Sequence, residues 1–329
     1  MTNQVTNIGG QARSGSPLTG PNTNPEFAKQ LDELVTIASG GHRADSQFFN
    51  PSDQWLLDRM PIFQDLPDEQ KSVVLKEVQE LKGVAEEANA AGRAATKVWP
   101  AVVARLDNQG LAFFSQLGVV RRPDLTQYFI DGFETNRDAL AFEEPNQELF
   151  CEVFRYINRY MTEKFASGDT IVQTDRQVAD APGRSFHARQ LLFGIDYLQA
   201  PYMWRQLTFD LPESKYQGQP DILEVSLPRW LDDLGMPDDL KARITESGLT
   251  QLIFKAPTKG LSLHLGFDYV GEHKMGPLSI AMFLVKQNNG LAVQASLSTA
   301  RAKTLQGKMN NTAMVTIGPS LHGKSTLTI

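Results

Sequence analysis

The stretch Ala313-Met314-Val315-Thr316-Ile317-Gly318-Pro319-Ser320-Leu321-His322-Gly323-Lys324-Ser325-Thr326 decides how this chain is read. Its first five residues are a short apolar, β-branched run of the kind that forms a buried strand. Gly318 to Ser325 then fit the pattern G-x-x-x-x-G-K-[ST]. Glycines let the backbone curl so that successive N–H groups point at phosphate oxygens, the lysine ammonium reaches the β and γ phosphates, and the hydroxyl residue ligates the nucleotide's Mg2+. Gly318, Gly323, Lys324 and Ser325 supply these parts, and Thr326 adds a second hydroxyl. His322 reads as a solvent-facing variable position of the loop. Ser325 to Ile329 opens the helix that should follow. A strand feeding a phosphate loop implies an α/β nucleotide-binding core.

Composition sets the outer bounds. The 329 residues are 41% hydrophobic and 21% charged, enough to bury one or two substantial cores. A net charge of −6 argues against general binding to nucleic acid or to a membrane surface. Ile280 to Val285 is the kind of apolar run present, far short of the ~20 residues that span a bilayer. The N-terminus lacks a charged-then-apolar signal arrangement, so the expected compartment is the cytoplasm. Cys151 is the only cysteine, excludes an internal disulfide, and sits in an apolar helical pattern that suits a buried thiol.

Three textures follow one another. Residues 1–25 are rich in Asn, Thr, Gly, Ser and Pro and read as a tail without a fold. Residues 26–168 read as mainly helical. Pro67, Asp68 and Glu69 mark a helix start before Val74, Val78, Leu81 and Ala85, and a second stripe runs through Phe150, Val153, Phe154, Ile157 and Met161. This region shows no metal-ligand spacing and no nucleophile beside a base, and His42 next to Gly40 and Gly41 is a weak signal. Residues 169–329 read as α/β. Strands are expected at 170–174, 207–211, 249–256, 261–269 and 291–296, with helical segments across 230–247 and from Pro277 to Lys286. The overall class is therefore α/β (α+β overall), a mainly helical N-terminal part followed by an incomplete phosphate-loop domain.

Tyr269-Val270-Gly271-Glu272-His273-Lys274-Met275-Gly276, then an apolar helix, a strand and the phosphate loop about fifty residues on, resembles the ATP-dependent phosphoenolpyruvate carboxykinases. That family reads Y-x-G-E-x-K-K-G at this point. The resemblance covers about residues 249–329; Pro182-Gly183-Arg184-Ser185 echoes the first letters of the family's substrate motif by chance. It implies that Tyr269 and Lys274 face the substrate oxoacid, Lys274 and Lys324 having catalytic roles as cations beside developing charge. It also implies that Gly318, Gly323, Lys324, Ser325 and Thr326 hold ATP, with Ser325 on Mg2+. The family's second lysine and its histidine, ligands of a protein-bound Mn2+, fall at Met275 and Ala295, with Gln294 and Ser296 beside the latter. Thioether and methyl groups do not suit a hard cation, so no protein-bound Mn2+ is expected and decarboxylation of oxaloacetate is disfavoured. His264 and His273 show no partner at ligand spacing and read as structural or solvent-exposed.

A loop domain of this type continues into a helix and acid-bearing strands, so the expectation is the N-terminal portion of a longer protein or a site completed by a companion chain. Three readings stand. The chain is part of a divergent kinase transferring the ATP γ-phosphoryl to a small-molecule acceptor, or a non-catalytic nucleotide-binding relative, or a split-gene fragment inactive until complemented. The expected partners are a nucleotide and a small acceptor, without nucleic acid or membrane.

Overall fold

Alternation along the strands sorts the chain into layers. A computed structural model describes residues 24–41, 46–65, 67–69, 71–72, 127–130, 144–179, 185–266, 270–293 and 295–317. The strands β1 (Gln127–Ile130), β2 (Ile171–Val178), β3 (Phe186–Phe193), β4 (Phe209–Asp210), β5 (Ile222–Leu227), β6 (Leu252–Ala256) and β7 (Leu261–Leu265) form one seven-stranded sheet in the order β1-β6-β7-β5-β3-β2-β4. The sheet is mixed: β1 with β6, β3 with β5 and β5 with β7 are parallel, while β2 with β3, β2 with β4 and β6 with β7 are antiparallel. Helices on a mixed sheet make this an α/β protein.

One face of the sheet is covered by α1 (Pro25–Gly40) and α4 (Glu144–Ser167). Between them in sequence lie α2 (Asp53–Arg59) and α3 (Pro61–Gln64). The α1 helix starts where Asn24 accepts hydrogen bonds from the N–H groups of Glu26 and Phe27, with Pro25 in the first turn, where its missing N–H costs nothing. Phe27, Leu31 and Leu34 of α1 meet Phe150, Val153, Phe154, Ile157 and Met161 of α4 over Leu191, Leu223, Val225, Phe254 and Leu263 of the sheet. Phe154 is the hinge of this layer, its ring 5.3 Å from that of Phe27 and 5.8 Å from that of Phe254. The α4 stripe is the one the sequence predicts, and Cys151 on it is buried as a free thiol. Neighbouring residues on β2 and β3 point the other way: Val172 and Leu192 join Leu56, Leu57, Met60 and Phe63 of α2 and α3, with Tyr202 and Met203 of α5 (Gln199–Leu207).

The segment 230–247 is two helices, α6 (Trp230–Asp233) and α7 (Asp238–Glu246), broken at Gly235 (φ +62), as the sequence predicts. Several boundaries differ from expectation. The helix expected at Pro277 is α8, Val270–Gln287, so Gly271 lies within it and makes no turn. Proline in a helix interior removes one hydrogen bond, and here Pro277 lies inside α8 with His273, Pro277 and Ile280 buried. The strand expected to reach Tyr269 stops at Leu265, because Gly266 takes the left-handed conformation (φ +79). The strands β3 and β5, and β1 within the stretch read as helical, were not expected.

The chain divides into two compact units, Met1–Ala281 and Met282–Ile329. In the second, β8 (Ala295–Lys303) pairs antiparallel with β9 (Met309–Ile317), shifting the strand expected at 291–296. The strand expected before the phosphate loop is therefore present. It is not buried, however: Met314, Val315 and Ile317 are exposed, because β9 has β8 as its one strand partner among the described residues.

Candidate functional site

The same alternation that points Leu223, Val225, Leu261, Leu263 and Leu265 toward α1 and α4 points Glu224, Ser226, Ser262 and His264 to the opposite face. Register then aligns them. Lys255 on β6 faces Ser262 on β7, Ser262 faces Glu224 on β5, and Glu224 faces Gln190 on β3, so four polar residues form one row across the sheet. His264 faces Ser226 and Ile253 in the adjacent row. A row like this is expected in water, yet Glu224, Ser226, Ser262, His264 and Gln190 all have 0% exposure.

The α8 helix supplies the roof. Gly276 lies so close to the sheet that a Cβ there would stand 3.0 Å from His264 Nε2 and inside contact distance of Ser262 Oγ. That approach brings His273 over the sheet. Its ring stacks on His264 with centroids 4.7 Å apart and planes 29° from parallel, and its Nδ1 shares a hydrogen bond with Glu224 Oε1. Gln190 Nε2 donates to the same oxygen at 2.8 Å, whereas Glu224 Oε2 has no hydrogen-bond partner. Ser262 Oγ and His264 Nε2 are 2.7 Å apart, and Lys255 Nζ lies 3.9 Å from Glu272 on the first turn of α8.

Electrostatics follow from burial. Desolvation pushes the Glu224 carboxyl up, opposed by His273 and Gln190 and reinforced by Glu272. Desolvation also holds His264 well below the usual imidazole range, helped by the charges of His273 and Lys255, so its ring is neutral. Lys255 is lowered by burial, partly restored by Glu272 and Glu224. The result is a buried carboxylate and two imidazoles whose donor atoms all lie within 4.8 Å of one another, the residue types that hold first-row divalent metals. Burial of both rings rules out the solvent-exposed role read for His264 and His273 and leaves the structural one. Each finds the other and Glu224 through strand register and helix packing, which sequence spacing cannot display.

The residues expected at a nucleotide site are distributed differently. Lys274 is exposed on α8 and Met275 beside it is half-buried. Ala295 opens β8 and is exposed. Neither Met275 nor Ala295 carries a donor that suits a hard cation such as Mn2+. Tyr269, Gly318, Gly323, Lys324, Ser325 and Thr326 lie outside the described residues. No helix among the described residues is long and apolar enough to cross a membrane.

A second buried polar cluster lies on β2 and β3. Asp175 accepts from Arg189 Nε and Nη2 at 2.9 and 2.8 Å, from His187 Nε2 at 3.0 Å and from Gln173 Nε2 at 3.0 Å. Arg189 also donates to the Ser39 carbonyl, tying the end of α1 to the sheet. Arg189, His187 and Gln173 together bond this buried carboxylate.

A scan against protein-family models and a search of curated proteins found no match to this chain.

Proposed function

We propose that the chain binds a nucleoside triphosphate through Gly318–Ser325 and is a divergent carboxykinase-like phosphotransferase acting on a small-molecule acceptor. The observation that carries this reading is the order of strand and loop: β9 ends at Ile317, directly before Gly318-x-x-x-x-Gly323-Lys324-Ser325. The backbone N–H groups of the loop and Lys324 would hold the phosphates, Thr326 would add a hydroxyl donor, and Ser325 would hold the nucleotide's Mg2+. Lys324 and Lys274 are the cations proposed to stabilise charge on the transferring group and the acceptor, with Tyr269 beside the acceptor. That Mg2+ supplies neutralisation of phosphate charge, which needs no protein-bound Mn2+.

One observation favours a second reading. Met275 and Ala295 stand where the carboxykinase pattern has metal ligands, which fits a nucleotide binder that does not catalyse transfer. Calorimetric titration with ATP and Mg2+ tests the shared premise. Wild type should bind and Lys324→Ala should bind at least about tenfold more weakly, a loss of roughly 1.4 kcal/mol. Equal binding by both contradicts the loop assignment. ADP release with candidate acceptors then separates kinase from silent binder.

A further inference from the structure

We propose that Glu224, His264 and His273 form a binding site for one divalent transition-metal ion, zinc by the chemistry of its donors, which clamps α8 onto the sheet. The proposal uses none of the phosphate-loop residues and stands whether or not that loop binds nucleotide.

The geometry is nearly that of a filled site. One donor from each of the three side chains lies within 4.8 Å of the others, and all three residues are buried. Donors around a tetrahedral zinc with bonds of ~2.0–2.1 Å are about 3.4 Å apart, so small rotations of the side chains close the set. Two imidazoles and one carboxylate are a zinc ligand set, and His264, held neutral by burial, needs no proton removed.

A separate observation points to an occupant. Glu224 Oε1 receives both Gln190 Nε2 and His273 Nδ1, while Oε2, in a side chain of 0% exposure, receives no hydrogen bond. Natural cores rarely leave a carboxylate oxygen so, because its lost hydration is not replaced. A dication at that oxygen replaces it. Gln190 on Glu224 and Ser262 on His264 are the kind of outer hydrogen-bonding partners that orient metal ligands.

Burial determines the role. With Gly276 pressed against Ser262 and His264, the centre has no room for a substrate, so the ion is structural. It joins β5 through Glu224, β7 through His264 and α8 through His273.

The test uses the full chain, stripped with chelator and reloaded with Zn2+ or, as a spectroscopic probe, Co2+. The expected result is one equivalent retained after dialysis, visible ligand-field bands with Co2+ and a higher melting midpoint with the ion bound. His273→Gln and Glu224→Gln should each weaken binding at least about a hundredfold, the upper end of what even an outer partner costs. Cys151→Ser, which removes the only thiol, should retain the ion. Should the cluster variants fail to fold, the wild type decides: Co2+ must shift the imidazole resonances of two histidines. Stripped wild type that takes up no ion and melts unchanged overturns the proposal and makes the cluster a hydrogen-bonded core only. Full-affinity binding by both variants overturns it too.

Discussion

Replacing Gly276 by alanine separates the packing of α8 from its intrinsic helicity, because the two make opposite predictions. On propensity alone, Gly→Ala inside a helix stabilises by up to about 1 kcal/mol. Here the new methyl would stand 3.0 Å from His264 Nε2 and 3.1 Å from Ser262 Cβ, with Ser262 Oγ closer still. Rotation of the Ser262 hydroxyl breaks its contact with His264 and leaves the rest of the clash, because Ser262 Cβ is fixed to its strand and the His264 ring is held against His273. Overpacking of this kind costs about 1–3 kcal/mol and a Cβ this close to three atoms falls toward its upper end, so after the propensity gain of up to about 1 kcal/mol Gly276→Ala should be net destabilising by about 2 kcal/mol. Urea unfolding reads this as a lower midpoint at unchanged slope. Adding Ser262→Gly removes two of the three clashing atoms, so the double-mutant cycle should return a favourable coupling of at least about 0.5 kcal/mol. A neutral or stabilising Gly276→Ala, with no coupling to Ser262, would refute the seating of α8 on β7.

Other parts of the fold make further predictions. Burial alone pushes Asp175 up, but hydrogen bonds from His187 and Arg189 and the Arg189 charge outweigh it and hold its carboxyl below the ordinary 3.8. A depressed native pKa contributes stability that is full above 3.8 and is lost as pH falls through the lower native value. Acid titration of stability should therefore lose that component in Asp175→Asn. The variant should also be weaker at neutral pH by about 3–5 kcal/mol, since it strands buried Arg189. Phe154→Ala empties the contact between α1, α4 and β6 and should cost about 3–5 kcal/mol by chemical denaturation. Gly266→Ala combines a left-handed φ of +79 with a Cβ driven into the Thr250 carbonyl, and should lower soluble yield and melting midpoint more than Gly276→Ala does.

What could be read from the sequence was what a single buried face imposes on neighbours along the chain. The α4 stripe from Phe150 to Met161 shows because a helix with one apolar side must repeat every three or four residues. The α6 to α7 break shows because Gly235 and Pro237 are local signals. Strand β5 escaped notice because Glu224 and Ser226 interrupt its apolar residues, and β3 because His187, Arg189 and Gln190 do the same. Glu224 meets His273 and Arg189 meets Asp175 across the fold rather than within their own strands, so local periodicity has nothing to register. The start of α8 was misplaced for the same reason. Pro277 reads locally as a helix opener, whereas α8 begins at Val270 and carries Pro277 in its interior, with His273 and Gly276 buried.

Proton NMR of the histidine rings tests most directly the claim that a polar sheet face lies sealed beneath α8. The chain has five histidines, and burial holds the His264 ring well below 6.5. Assigned by its Gln variant, the His264 resonance should stay at its neutral position as the pH falls through the ordinary imidazole midpoint of about 6.5. A His264 ring that titrates near 6.5 like an imidazole in water would contradict the account.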